Sequence, residues 1–190
     1  MNLQDIASRD NPLIKQLRAL AHDNTAYRAE GRVWLEGDHL CRAMLARGAR
    51  PELAVFTASA WSSVDAVLRE AAPRVVRVPD PLMASISALD SPGHMGFVWR
   101  LPASPAVQPQ APSVLLDRLQ DAGNVGSILR SASAFGFTQV LALKGTAALW
   151  SPKVLRAGMG AHFGLHLVSV CGTAGPLEPQ QQASCPHAAR

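Results

Sequence analysis

The sequence predicts an α/β protein in two parts. Three observations carry that expectation. Short apolar strands alternate with amphipathic helices through the first 100 residues, a proline-dense stretch follows, and a β-α-β-α-β pattern with short connections comes after it. In the first part, residues 11–22 (NPLIKQLRALAH) place Leu13, Ile14, Leu17, Leu20 and Ala21 at helical spacing, with Pro12 at a favourable first helical position. RVWLEG (32–37) reads as a strand and 38–47 as a helix ended by Gly48. ELAVFT (52–57) is a strand, 61–71 a helix stopped by Pro73, RVVRV (74–78) a strand, 81–88 a short helix and HMGFVWR (94–100) a strand.

Residues 101–112, LPASPAVQPQAP, carry four prolines and no charge. Prolines at that density resist helix and central strand, so an extended linker is expected there. Beyond it, SVLLDRL (113–119) is a strand, 124–135 a helix, QVLALK (139–144) a strand, 151–161 a helix and HLVSV (166–170) a strand. Short connections of this kind join parallel strands. The last 20 residues, 171–190, hold three prolines, three consecutive glutamines and one large aliphatic residue, and a disordered tail is expected. The expected division is therefore 1–100, a linker over 101–112, 113–170 and the tail.

Composition narrows the function classes. Apolar residues make up 48% and charged residues 17%, which suits a packed globular chain. No run approaches the roughly 18 apolar residues of a membrane helix, and Asp5, Arg9 and Asp10 stand where a signal peptide would be apolar. A soluble, cytoplasmic protein without a membrane partner is expected. Three scattered cysteines make neither a disulfide framework nor a zinc pattern. The net charge is +4, and between Asp121 and Glu178 no acid balances Arg130, Lys144, Lys153 and Arg156. Such a stretch favours polyanions, although an ordinary solvated face explains it as well.

The segment VLLDRLQDAGNVGSILRSASAFGF (114–137) leads a buried strand through a glycine-containing turn into a helix. Val125, Ile128, Leu129 and Ala132 form the helix's core face, and Arg130 lies far round from it at roughly 100° per residue. Asn124 is expected at the helix start, where its side chain can cap free N–H groups or reach a substrate. Gly123 and Gly126 admit a close neighbour. In SPKVLRAGMGAHF (151–163), Ser151 and Pro152 form a helix start, and Lys153 and Arg156 are three apart. Gly158, Gly160 and Gly164 close a helix and do not open one, so they are no dinucleotide fingerprint, and no acid follows Gly126 until Glu178. His162 and His166 have no regular metal-ligand spacing with Cys171, Cys185 or His187, and no metal is expected. Trp34, Trp61, Trp99 and Trp150 read as packing residues.

DRLQDAGNVGSILRSASAFG is similar to the first signature motif of the SpoU (TrmH-like) family of RNA ribose 2′-O-methyltransferases, members of the SPOUT superfamily, and SPKVLRAGMGAHF resembles the second. SRDNPLIKQLRAL, GRVWLEGDHL and SPGHMGFV resemble that family's substrate-binding domain. The resemblance implies a small α/β RNA substrate-binding domain followed by a partial SPOUT-type (α/β-knot) methyltransferase domain. It implies transfer of a methyl group from S-adenosyl-L-methionine to a ribose 2′-OH of tRNA or rRNA, and a homodimer. It places Arg130 at the substrate phosphate and 2′-OH, Asn124 in support of the site, and the Glu36–Gly37 pair in a structural role. RNA contacts are expected from Lys15, Arg28, Arg32, Lys153 and Arg156. The family's third, Gly-Asn-Glu-type motif has no match after Val170, so the domain is expected to lack its C-terminal third, and the cofactor-binding residues are left unassigned. A catalytically incomplete RNA-binding fragment stays open as the alternative.

Overall fold

The computed structural model describes residues 2–102 and 106–170. Its elements run β1 (Asn2–Asp5), α1 (Pro12–His22), α2 (Ala26–Glu30), β2 (Arg32–Glu36), α3 (Asp38–Ala46), β3 (Leu53–Thr57), α4 (Ala66–Arg69), β4 (Arg74–Val78), α5 (Asp80–Ile86), β5 (Met95–Arg100), β6 (Ser113–Leu116), α6 (Ala122–Ala134), β7 (Gln139–Leu143), α7 (Pro152–Gly158), a 3-10 turn at Ala161–Gly164, and β8 (His166–Val170). They form two sheets, a five-stranded one ordered β1-β4-β3-β5-β2 and a three-stranded one ordered β6-β7-β8.

The first sheet is mixed. β1, β4 and β3 are parallel, and β5 runs antiparallel to both β3 and β2. Period-two alternation sends Val33, Leu35, Phe56, Val75 and Phe97 to one face, where α3 and α4 supply Cys41, Met44 and Leu68. Trp34, Val55, Val76 and Val98 go to the other face, under Ile14 and Leu17 of α1 and Met83 and Ile86 of α5. Helix α1 begins where the sequence placed it. Asn11 caps it by accepting from the Leu13 N–H at 2.9 Å, and Pro12 fills its first turn.

The second sheet is parallel throughout, as the short connections implied. One face carries Leu116, Val140, Ala142 and Leu167 against Val125 and Leu129 of α6 and Val154 of α7. Part of the proline-dense stretch is latched to this sheet. The buried Gln139 amide donates to Gln108 C=O at 3.2 Å and accepts from Gln108 N–H at 2.8 Å, and His166 Nε2 lies 2.7 Å from Ala106 C=O.

The structure corrects several sequence expectations. The helix expected over 61–71 is a turn through 58–64 followed by the single turn of α4. Ser62 and Ser63 favour turns over helix interiors, and Trp61 folds back edge-on to Phe56 at 5.5 Å. The helix expected over 151–161 stops at Gly158, because Met159 (φ 48°) and Gly160 (φ 87°) both enter the left-handed region. Strand β1 and helix α2 were not anticipated. The residues of β1 are exposed, so no apolar pattern marks it. The expected tail, 171–190, lies outside the described residues.

Helices α6 and α7 cross closely. A Cβ built on Gly126 would stand 2.3 Å from Ala157 Cβ and 2.7 Å from Gly158 N, so no side chain fits there. Gly123, which the sequence grouped with it, meets only Asp121 Oδ1 at 3.1 Å. Gly126→Ala is therefore expected to lower stability by about 1–3 kcal/mol through forced separation of the helices, read as a lower urea midpoint. Gly123→Ala, which meets a single side-chain oxygen and no backbone, should lower the midpoint less in the same titration.

Candidate functional site

The site is built at the C-terminal ends of β6 and β7. Asp117 and Arg118 follow β6 directly, and Arg118 holds φ at 52°, an uncommon conformation for a residue with a Cβ. Its guanidinium pairs with Asp117 through two contacts of 3.0 Å. The loop after β7 is tied to this turn. Thr146 Oγ1 donates to Leu116 C=O at 3.0 Å, and Ala147 N–H donates to Leu119 C=O at 2.8 Å.

Asp121, not Asn124, caps α6. Its Oδ1 accepts from the Asn124 N–H at 2.7 Å, and helix geometry starts at Ala122, two residues before the expected start. Asn124 is the third helical residue, with an exposed side chain. An Asp followed by helical spacing three residues later is the signal that marks this cap, and it was legible in the sequence. The left-handed backbone of Arg118 left no such signal.

Arg130 is exposed on α6, as its angular position required, and makes no ion pair among the described residues. Asn124 and Arg130 stand at the two margins of one exposed sector, about 120° apart around the helix and about 9 Å apart along it. Small residues, Ser127, Ser131 and Ala134, fill the space between them. A planar cation and a carboxamide thus flank a shallow polar face above a capped helix start.

The other expected contacts scatter. Lys153 is exposed at the start of α7. Arg156 is half-buried in the seam between the two sheets, in a cleft with Trp34, Glu36 and Leu40. Arg32 is held by Glu52 at 2.6 Å, and Arg100 shares the same carboxylate. Arg28 is exposed beside Tyr27, and Lys15 is exposed on α1 with a loose contact to Asp10 at 3.5 Å. Glu36 has the structural role that the family resemblance implied. Its carboxylate accepts from Ser87 Oγ, from Gly93 N–H at 3.0 Å and from Trp34 Nε1 at 3.3 Å, tying β2 to the loop before β5.

The second motif forms the joint between the sheets. Leu155 is buried in the core of the first sheet, Trp150 and Phe163 each pack 5.5 Å from Trp99, and Gly160 approaches Ala43. His162 sits beneath this segment as a fully buried side chain with Nε2 2.9 Å from Leu149 C=O. Burial pushes its imidazole down to about 4 from 6.5, only partly offset by the Leu149 carbonyl. Among the described residues no cluster of His, Cys, Asp or Glu has metal-site geometry.

Residues 111–182 match the SpoU rRNA methylase family, and residues 11–95 match the MRM3-like substrate binding domain. The chain thus carries a region similar to the SpoU methylase family, with a region similar to this substrate-binding domain ahead of it. The methylase match runs to residue 182, past Val170, where the sequence reading had ended the likeness. The chain is 34% identical to the mitochondrial rRNA methyltransferase 3 of Mus musculus, across 74% of this chain and 35% of that protein. It is 25% identical to the 23S rRNA (guanosine(2553)-2′-O)-methyltransferase RlmP of Bacillus subtilis, across 87% of this chain and 65% of that one. The AdoMet-bound rRNA methyltransferase of Sinorhizobium meliloti superposes with a TM-score of 0.74 at 26% identity, covering 88% of this chain and 64% of that structure. The chain thus spans between about a third and two thirds of the length of these relatives.

The neutral, buried state of His162 makes stability pH-dependent. Between pH 6.5 and 4 the unfolded chain binds a proton that the folded chain excludes, so its contribution is complete above pH 6.5 and is lost as pH falls toward 4. The wild type should lose up to about 3 kcal/mol from this group on acidification. His162→Gln keeps a donor for Leu149 and should lose less, which urea titrations at neutral and acidic pH will show. Equal losses would contradict the assignment.

Proposed function

We propose that this chain binds RNA and positions a ribose for 2′-O-methylation, with residues 1–100 as the RNA-binding unit and 113–170 as part of the methyl-transfer unit. The observation that carries the reading is Arg130, an exposed guanidinium without an ion pair among the described residues, on a capped helix in the region of the SpoU match. The relatives support the chemistry: one is named a 2′-O-methyltransferase of 23S rRNA, and a solved neighbour holds AdoMet.

S-adenosyl-L-methionine supplies a methyl group already activated on a sulfonium, so the protein needs no covalent nucleophile. The exposed face of α6 offers its polar groups to the ribose side of the reaction. The task there is to fix the 2′-oxygen in line for attack. As an arginine, Arg130 is a poor base and a multiple hydrogen-bond donor. It suits bidentate capture of the phosphate beside the reacting ribose, and stabilises negative charge developing on the 2′-oxygen. Asn124, at the other margin of the same face, offers a carboxamide to the ribose hydroxyls. Asp121 holds the turn on which both depend.

The test is transfer of radiolabelled methyl from S-adenosyl-L-methionine to ribosomal RNA, with the product mapped to the 2′-oxygen. Arg130→Ala and Arg130→Lys should both reduce incorporation by about 100-fold or more, because an ammonium cannot reproduce the fork. Full activity in Arg130→Lys would contradict the bidentate role. RNA binding by the wild-type chain with no incorporation would select the RNA-binding reading without turnover.

A further inference from the structure

An open groove of about 430 Å³ runs along the exposed side of α1, lined by Lys15, Arg18, Ala19, His22, Asp23 and Ser85 of α5. Arg18 differs from the paired arginines of the first sheet. Arg32 and Arg100 share Glu52, Arg42 holds Asp38 and Asp65, and Arg77 forks onto Asp5. Arg18 is oriented by neutral acceptors only. Its Nε donates to Ser85 C=O at 3.0 Å and its Nη2 to Ser85 Oγ at 3.1 Å, while the Ser85 hydroxyl proton goes to Leu82 C=O at 2.8 Å. The guanidinium is thus locked in place, half-buried, with its charge uncompensated and Nη1 without a partner among the described residues.

The one carboxylate lining the groove, Asp23, keeps its charge but is turned toward its own loop. Asp23 accepts from Thr25 N–H at 2.7 Å and Thr25 Oγ1 at 2.8 Å. Lys15, Arg18 and His22 follow at i, i+3 and i+7, a single stripe about 10 Å long on α1. A fixed fork beside the Lys15 ammonium, with the His22 imidazole further along the stripe, suits an anion with paired acceptor oxygens, repeated along a line.

We propose that this groove seats the phosphodiester backbone of the RNA, with Arg18 as its central anchor. The proposal rests on the reading of RNA as the partner, and it adds a site that neither motif contains. The placement is consistent with the rest of the molecule. Ala21 of α1 shares a cleft with Pro152 and Arg156 of α7, and α7 crosses α6 at Gly126, so the helix that carries the groove and the helix that carries Arg130 are linked through α7.

The experiment is fluorescence anisotropy of a fluorescein-labelled, mixed-sequence RNA hairpin with the whole chain, over a series of potassium chloride concentrations. Arg18→Gln should weaken binding about tenfold and reduce the slope of log K against log salt by about 0.7–0.9, the loss of one phosphate contact. Lys15→Glu, on an exposed side chain that the fold does not need, should weaken binding by at least as much. It decides the matter alone if Arg18→Gln does not fold by circular dichroism. Arg74→Glu, an equal charge reversal on the exposed start of β4, should change affinity less than about twofold. If the wild type binds the hairpin and the groove variants match Arg74→Glu, the groove is overturned while RNA binding stands. If the wild type does not bind the hairpin at all, both the groove and the RNA reading are overturned.

Discussion

The close crossing of α6 over α7 sets the position of everything functional in this chain. It is possible because Gly126 has no side chain where Ala157 and Gly158 come past. The same short helix, α7, sends Leu155 the other way, into the core of the first sheet. Seven residues are thus clamped between the helix that carries Arg130 and the sheet that carries α1. Burial of one leucine stabilises by about 2–3 kcal/mol, and truncating it costs more because the cavity adds to the loss. The aromatic contacts of Trp99 with Trp150 and Phe163 add shape to that joint. The second motif, from which the sequence offered Lys153 and Arg156 as RNA contacts, is first of all the part that fixes one sheet against the other.

Charge is organised by the same frame. Glu52, Asp38, Asp65 and Asp5 neutralise the arginines that brace the first sheet. Exposed pairs of this sort contribute little to stability, typically below about 1 kcal/mol. Their larger effect is selective: they remove several arginines from the pool available to a polyanion. Arg18, Arg130 and Lys153 stay outside these pairs, one on α1, one on α6 and one on α7. A net charge of +4 is modest, and the arrangement matters more than the total.

Much of this was legible in the sequence. The alternation of strands and helices, the parallel second sheet, the proline at the start of α1, and the outward direction of Arg130 all followed from spacing and residue type. What escaped reading had physical causes. The exposed residues of β1 carry no apolar pattern. Trp61, placed at the start of an expected helix, is drawn inward by Phe56 and flanked by Arg69 and Arg77, side-chain contacts that helical spacing does not encode. Asn124 was taken as the cap because it precedes the apolar run, but Asp121 is the residue whose carboxylate reaches the free N–H. The break at Met159 needs a left-handed methionine, which no propensity announces. Of the groove on α1 the sequence offered Lys15 but not Arg18, which reads as an ordinary helix surface residue until Ser85, 67 positions away, is seen to hold it.

The central claim is that α7 couples the two sheets into one mechanical unit, and native-state hydrogen exchange on Leu155→Ala tests it most directly. Leu155 lies in the first sheet's core while its helix belongs with the second sheet. The account predicts that the substitution lowers amide protection in β2 and α3 of the first sheet and in β7 and α6 of the second together, by comparable free energies. Loss of protection confined to one sheet, with the other unchanged, would contradict it.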